Sequence, residues 1–103
     1  MEIINDETFA KEVIQSDKPV LVDFFAEWCG PCRQMLPIVA QIAEERSDIK
    51  IFKMNIDEAP KTPTEYGIQS IPTFILFKGG KALDMLVGSA TKSEITQWID
   101  SKL

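Results

Sequence analysis

The strongest constraint in the chain is the run Pro19-Val20-Leu21-Val22-Asp23-Phe24-Phe25-Ala26, in which one carboxylate interrupts seven apolar residues. Its β-branched and aromatic content predicts a strand. Its lack of alternation predicts that both faces of that strand are covered. Such a strand needs a layer of structure above it and another below. Asp23 is then buried whichever face it points to. An unpartnered carboxylate is costly there and tends to keep its proton, at a raised pKa. The competing reading is a strand-end aspartate that reaches solvent or caps the next helix.

The rest of the chain supplies the covering layers. "MEII" suits a short first strand, and Asp6 can cap a helix over roughly 7–16 with Phe9, Val13 and Ile14 on one face. A long helix is predicted from about Pro31 to Arg46, with an apolar stripe of Met35, Ile38, Val39, Ile42 and Ala43. Pro37 lies inside it and is expected to kink it, because proline lacks the N–H and crowds the preceding turn. "IKIFKMNID" (49–57) reads as a second central strand, followed by a short helical or irregular stretch around 60–67. "TFILF" (73–77) is a third strand, and Gly79-Gly80 makes a hairpin turn into "ALDMLVG" (82–88). Thr91-Lys92-Ser93-Glu94 is a capping box that opens a last helix with Ile95, Trp98 and Ile99 on its buried face.

This order predicts a parallel strand–helix–strand unit with a right-handed crossover, closed by an antiparallel pair. The expected fold class is α/β, a central mixed sheet with helices on both faces. With 103 residues, 45% of them hydrophobic, there is material for one core and too little for two, so one domain is expected over 1–103. The net charge of −5 argues against nucleic acid or an anionic membrane as the main partner. There is no histidine, so any catalysis must work without the usual neutral-pH base. No apolar run approaches the ~18 residues of a membrane span. "MEIINDETFAKEV" lacks a basic segment followed by an apolar one, so no secretory leader is expected and the cytosol is the expected compartment. A working thiol pair is commoner there than a permanent disulfide.

Both cysteines fall in Trp28-Cys29-Gly30-Pro31-Cys32, between the buried strand and the long helix. As a staple the pair is weak. A four-residue loop gives only about 2 kcal/mol by chain entropy, against about 4.7 for a very long one. As half of a zinc site it lacks company, since the chain has no other cysteine and no histidine; only carboxylates or a second subunit could complete the shell. No metal is expected. As a redox centre the loop fits. Pro31 suits the first helical turn. Cys29 sits at the helix N-terminus, where unpaired N–H groups and the dipole favour thiolate, the nucleophilic form. Cys32 lies one turn further in. The expectation is an exposed attacking cysteine and a shielded resolving one.

"WCGPC" after "VDFFAE", followed by "KMNID", "YGIQSIPTFILFKGG" and "VGSATKSEI", resembles the thioredoxin family along the whole chain. The family is a standard illustration of Cys-x-x-Cys chemistry. The resemblance implies the thioredoxin-like three-layer α/β/α sandwich and reduction of protein disulfides. It implies no bound cofactor beyond a reversible Cys29–Cys32 disulfide, with electrons drawn from NADPH through a separate flavoprotein, thioredoxin reductase. The implied partners are that reductase and disulfide-containing target proteins, met as a monomer. By position, Cys29 matches the family's attacking cysteine, Cys32 its resolving cysteine, and Asp23 its buried acid. Lys53 matches the lysine near that acid, Pro72 the cis-proline, and Trp28 the tryptophan flanking the site.

The residues themselves say part of this. A base of raised pKa is what deprotonating Cys32 requires, and Asp23 would be one. A crossover would put the strand of Lys53 beside that of Asp23, so the amine could tune the acid; the alternative is a lysine snorkelling to the sheet edge. Pro72 opens a strand, where its missing donor is tolerated. Its cis bond rests on the resemblance alone. Ile71 would then offer backbone groups to an extended substrate, as in strand addition. Trp28, Ile71 and Pro72, with Gly88 near them in the family's fold, would form a shallow apolar surface around Cys29. The alternative for Trp28 is ordinary core packing. Gly30 and Pro31 shape the loop.

The chain departs from common family usage at three places. Phe25 stands where a second tryptophan is frequent, Arg33 where lysine is frequent, and Ser70 where glycine is frequent. An oxidase or isomerase is the nearest alternative, although Gly-Pro between the cysteines resembles the reducing members. A thioredoxin-fold binding subunit with incidental cysteines is the alternative from another class.

Overall fold

In a computed structural model describing all residues, Met1–Leu103, Val20–Phe25 (β2) is the middle strand of a five-stranded sheet and is buried at every position. The other strands are Glu2–Ile4 (β1), Lys50–Asn55 (β3), Thr73–Lys78 (β4) and Lys81–Val87 (β5), in the order β1-β3-β2-β4-β5. β2 pairs parallel with β3 and antiparallel with β4, so the sheet is mixed. The helices are Asp6–Phe9 (α1), running on as a π-helical turn over Ala10–Ile14, then Gly30–Glu45 (α2), Lys61–Glu65 (α3) and Lys92–Lys102 (α4).

Strand alternation divides the apolar residues between two layers. Val20, Val22 and Phe24 face one way and pack with Phe9, Val13, Met54 and Phe77 beneath α1 and α3. Leu21 faces the other way and packs with Met35, Val39, Ile42, Ile95 and Ile99 of α2 and α4. Asp23 and Phe25 share the face of Leu21, the one that α2 covers. This is the three-layer arrangement expected from the sequence.

Local sequence sets the ends of the elements. Gly79 and Gly80 turn the β4–β5 hairpin with φ of 59° and 79°, values that glycine alone adopts cheaply. The capping box of α4 forms in both directions: Glu94 N–H donates to Thr91 Oγ1 at 3.1 Å, and Thr91 N–H to Glu94 Oε1 at 3.0 Å. Thr91→Ala removes one half of it and is expected to lower stability by about 1 kcal/mol in chemical denaturation, with an unchanged m-value.

One expectation about the helices needs correction. Asp6 is not the cap of the first helix. Asn5 is, with Thr8 as its reciprocal partner. Asp6 reaches a different helix altogether, as described below. Trp98 packs on the same core as Ile95 and Ile99 and is half-buried there, with its indole N–H donating to the Asp84 carboxylate at 2.8 Å. α2 runs on through Pro37, which faces solvent.

Candidate active site

β2 ends at Phe25, and Cys29 becomes the N-cap of α2 with an extended backbone (φ −86°, ψ 109°). Pro31 falls in the first helical turn, where no N–H is needed. The Cys32 N–H points at Cys29 Sγ from 3.2 Å, and Cys29 Sγ is joined to Cys32 Sγ as a disulfide with Cα atoms 5.2 Å apart. A 16-residue helix thus directs a backbone donor and its positive end at one sulfur. Arg33 turns back to donate to the Glu27 carbonyl at 2.8 Å, tying the loop to the first turn of the helix.

Cys29 was expected to be exposed, and it is so only in rank: it is 5% accessible, against 1% for Cys32. Phe25 and Ala26 pack against both cysteines, and Ile56 and Ile71 close over them. The Ile71 carbonyl oxygen lies 3.9 Å from Cys29 Sγ. Local spacing shows which cysteine caps the helix. It does not show how the 56–71 segment folds over the pair.

The Ile71–Pro72 bond is cis. The Ile71 N–H pairs with no group of the chain, while the Pro72 carbonyl accepts from Gly88 N–H at 2.8 Å. Pro72 is itself buried, so the accessible part of this surface is Trp28, Ile71 and Gly88. Trp28 is 67% accessible, the most exposed of the large apolar side chains, which disposes of the core-packing alternative. Its indole N–H donates to Asp57 at 2.9 Å. Beside it opens a cleft of about 280 Å³ lined by Trp28, Ile56, Pro63, Ile68, Gln69, Ser70 and Ile71. Asp57, Ile56, Pro63 and Ile68 join the site from outside the Cys-x-x-Cys loop. Nothing in their spacing marks them; they meet Trp28 only through the fold.

Asp23 is 1% accessible, and neither of its carboxylate oxygens has a hydrogen-bond partner. Burial pushes its pKa up from 3.8 to about 7, and the charge of Lys53 opposes part of that rise. Lys53 is the register partner of Asp23 on β3, as a parallel crossover requires. The two form no ion pair. The Lys53 ammonium instead sits 5.5 Å from the centroid of the Phe25 ring. Asp23 lies on the α2 side of the sheet, between Leu21, which packs on Met35, and Phe25, which packs on Cys32. An acid that changes charge near neutrality therefore sits on the face and strand that support the cysteines.

A helix-capping cysteine, a partner sulfur one turn on, a buried acid and an open cleft define a class: proteins that pass two electrons between a dithiol and a disulfide. The comparisons place the chain within it. Residues 1–101 match the family model described as Thioredoxin. The chain is 50% identical over 101 residues to a thioredoxin of Rickettsia prowazekii, covering 97% of this chain and 96% of that protein. It is 48% identical to thioredoxin 1 of a Nostoc species, covering 97% and 94%, and to a chloroplastic M-type thioredoxin of Chlamydomonas reinhardtii, covering 97% and 72%. The chain belongs to the thioredoxin family. It is a thiol–disulfide oxidoreductase that reduces protein disulfides with the Cys29–Cys32 pair as its redox-active centre. The reading as a binding subunit with incidental cysteines is not favoured. No three histidine, cysteine or acidic side chains converge as a metal site would require, and no helix is long and apolar enough to cross a membrane.

Proposed function

We propose that the roles divide as follows. The Cys29 thiolate attacks one sulfur of a target disulfide, breaks that bond and forms a mixed disulfide, while the displaced target thiolate takes a proton from solvent. Cys32 then gives its proton to the Asp23 carboxylate. Its thiolate attacks Cys29 Sγ, forms the Cys29–Cys32 bond and releases the second target thiolate. Two electrons pass from the protein to the target. The observation that carries this division is the placement of Cys29 as the cap of α2, receiving the Cys32 N–H at 3.2 Å.

Lys53 tunes Asp23 through charge and does no chemistry of its own. Gly30 and Pro31 give the loop its tight entry into α2. Trp28, Ile71 and Gly88 receive the target, with Pro72 behind them holding Gly88 by its carbonyl. The free N–H and the carbonyl of Ile71 pair with an extended target segment. The protein works as a monomer of one domain in the cytosol. A flavoprotein reductase recharges it from NADPH, and no cofactor is bound.

Catalytic amounts of the protein, added to NADPH, a thioredoxin reductase and a disulfide-bonded protein, are expected to give NADPH oxidation that depends on all three. NADPH oxidation no faster than in the absence of the chain would overturn the proposed recycling route. A reduction potential close to that of the oxidising family members, near −120 mV, would move the protein to the oxidase class.

A further inference from the structure

α3 is a short helix with an unusual start. Its N-cap is Pro60, which provides no side-chain cap, and Pro63 follows within the same turn. Neither proline has an N–H, so the free donors of the first turn are those of Lys61 and Thr62. Both go to Asp6, 55 and 56 residues away: Lys61 N–H to Oδ2 at 3.1 Å and Thr62 N–H to Oδ1 at 2.9 Å. The Thr62 hydroxyl, on a buried residue, adds a third bond to Oδ1 at 2.8 Å. Burial by itself would raise the Asp6 pKa, but the bonds from Thr62 and Lys61 hold it below its ordinary value. The far end of α3 is tied back in turn. The N–H groups of Tyr66, Gly67 and Ile68 donate to the carbonyls of Thr62, Thr64 and Pro63. Ile68 begins the stretch that runs through Gln69 and Ser70 to Ile71, four of the seven residues that line the cleft beside Trp28.

We propose that Asp6 is a positioning residue for target binding: from α1 it supplies the cap that α3 lacks, and through α3 it holds the cleft wall formed by Pro63, Ile68, Gln69, Ser70 and Ile71. This rests on the reading of that cleft as the place where the target chain lies. Asp6 touches neither sulfur nor target. Its loss acts on docking and not on thiol exchange.

The test is single-turnover oxidation of the pre-reduced protein in stopped flow, with a disulfide-bonded protein and, separately, a small aromatic disulfide that needs no cleft. Asp6→Ala is expected to raise the half-saturating concentration of the protein disulfide about fivefold, the usual scale of a lost cap. The limiting rate and the small-disulfide rate are expected to stay within about twofold. Asp6→Asn keeps an acceptor for Thr62 and is expected to recover most of the loss. Amide exchange at Ile68, Gln69 and Ser70 is expected to quicken in the alanine variant and return in the asparagine variant. An unchanged half-saturating concentration in folded Asp6→Ala would overturn the inference, as would an equal loss with both disulfides. Should Asp6→Ala not fold, Thr62→Val takes its place, with about a twofold rise expected and no rise counting against the proposal. Ile68→Ala separates the two levels. If it raises the half-saturating concentration while Asp6→Ala does not, only the role of Asp6 falls; if neither does, the cleft is not the docking site.

Discussion

Cys29→Ser is expected to lower protein-disulfide reduction by more than about a thousandfold, while Cys32→Ser stops turnover and accumulates covalent complexes with targets. The two losses differ because the two sulfurs are placed differently. Cys29 caps α2, receives the Cys32 N–H and lies 3.9 Å from the Ile71 carbonyl, at the edge of the cleft. Serine there offers a hydroxyl of far higher pKa and no sulfur with which to form a mixed disulfide. Cys32, at 1% accessibility, is enclosed with Cys29 by Phe25 and Ala26 and is out of reach of a target disulfide. Without it the first exchange proceeds, but nothing displaces the target. Non-reducing electrophoresis and intact mass after mixing with a disulfide-bonded protein read both outcomes. Cys29→Ser with turnover near that of the parent would end the redox assignment. Adducts forming through Cys32 as readily as through Cys29 would reverse the roles.

Much of this was legible in the sequence because it depends on neighbours along the chain. β2 and β4 are apolar runs that only a covered sheet can accommodate. The α4 capping box lies within four residues, and the hairpin glycines adopt the positive φ that their pairing suggested. The Cys-x-x-Cys loop was legible for the same reason, since the helix that Cys29 caps begins inside it. The features that escaped depend on contacts between distant segments. Asn5 and Asp6 are adjacent and chemically alike, and sequence cannot tell which caps its own helix and which reaches 55 residues onward. The low accessibility of Cys29 comes from Ile56 and Ile71, which return from elsewhere in the chain. The pairing of Asp23 with Lys53 was visible as two interrupted strands, but it took the register of β2 on β3 to set them side by side.

Asp23→Asn is expected to remove a stability penalty that the oxidised protein carries near neutral pH. The folded chain holds the Asp23 proton up to about pH 7, whereas an unfolded aspartate releases it near 3.8. Between those values the native state binds the extra proton, so its stability falls as pH rises, by about 1.4 kcal/mol per unit. The contribution is fully present below pH 3.8 and gone above about pH 7, a change on the order of 4 kcal/mol. Asp6, Asp48, Asp84 and Glu94 have lowered pKa values and act in the opposite sense, losing stability as pH falls through their folded values. They titrate alike in parent and variant, so the difference between the two isolates Asp23. Denaturant unfolding at pH 4, 5.5, 7 and 8 is expected to show that difference growing in favour of Asp23→Asn and levelling off above pH 7. A difference that stays constant with pH would mean that Asp23 does not hold its proton in the folded chain. In the proposed mechanism the same substitution takes away the proton acceptor for Cys32. Release of target from the mixed disulfide is expected to slow about a hundredfold, with the initial attack by Cys29 changed by less than about threefold. Stability and resolution therefore move in opposite directions from one side chain. An asparagine variant that gains stability at pH 8 yet resolves at the parental rate would leave the buried acid in place and take the base role away from it.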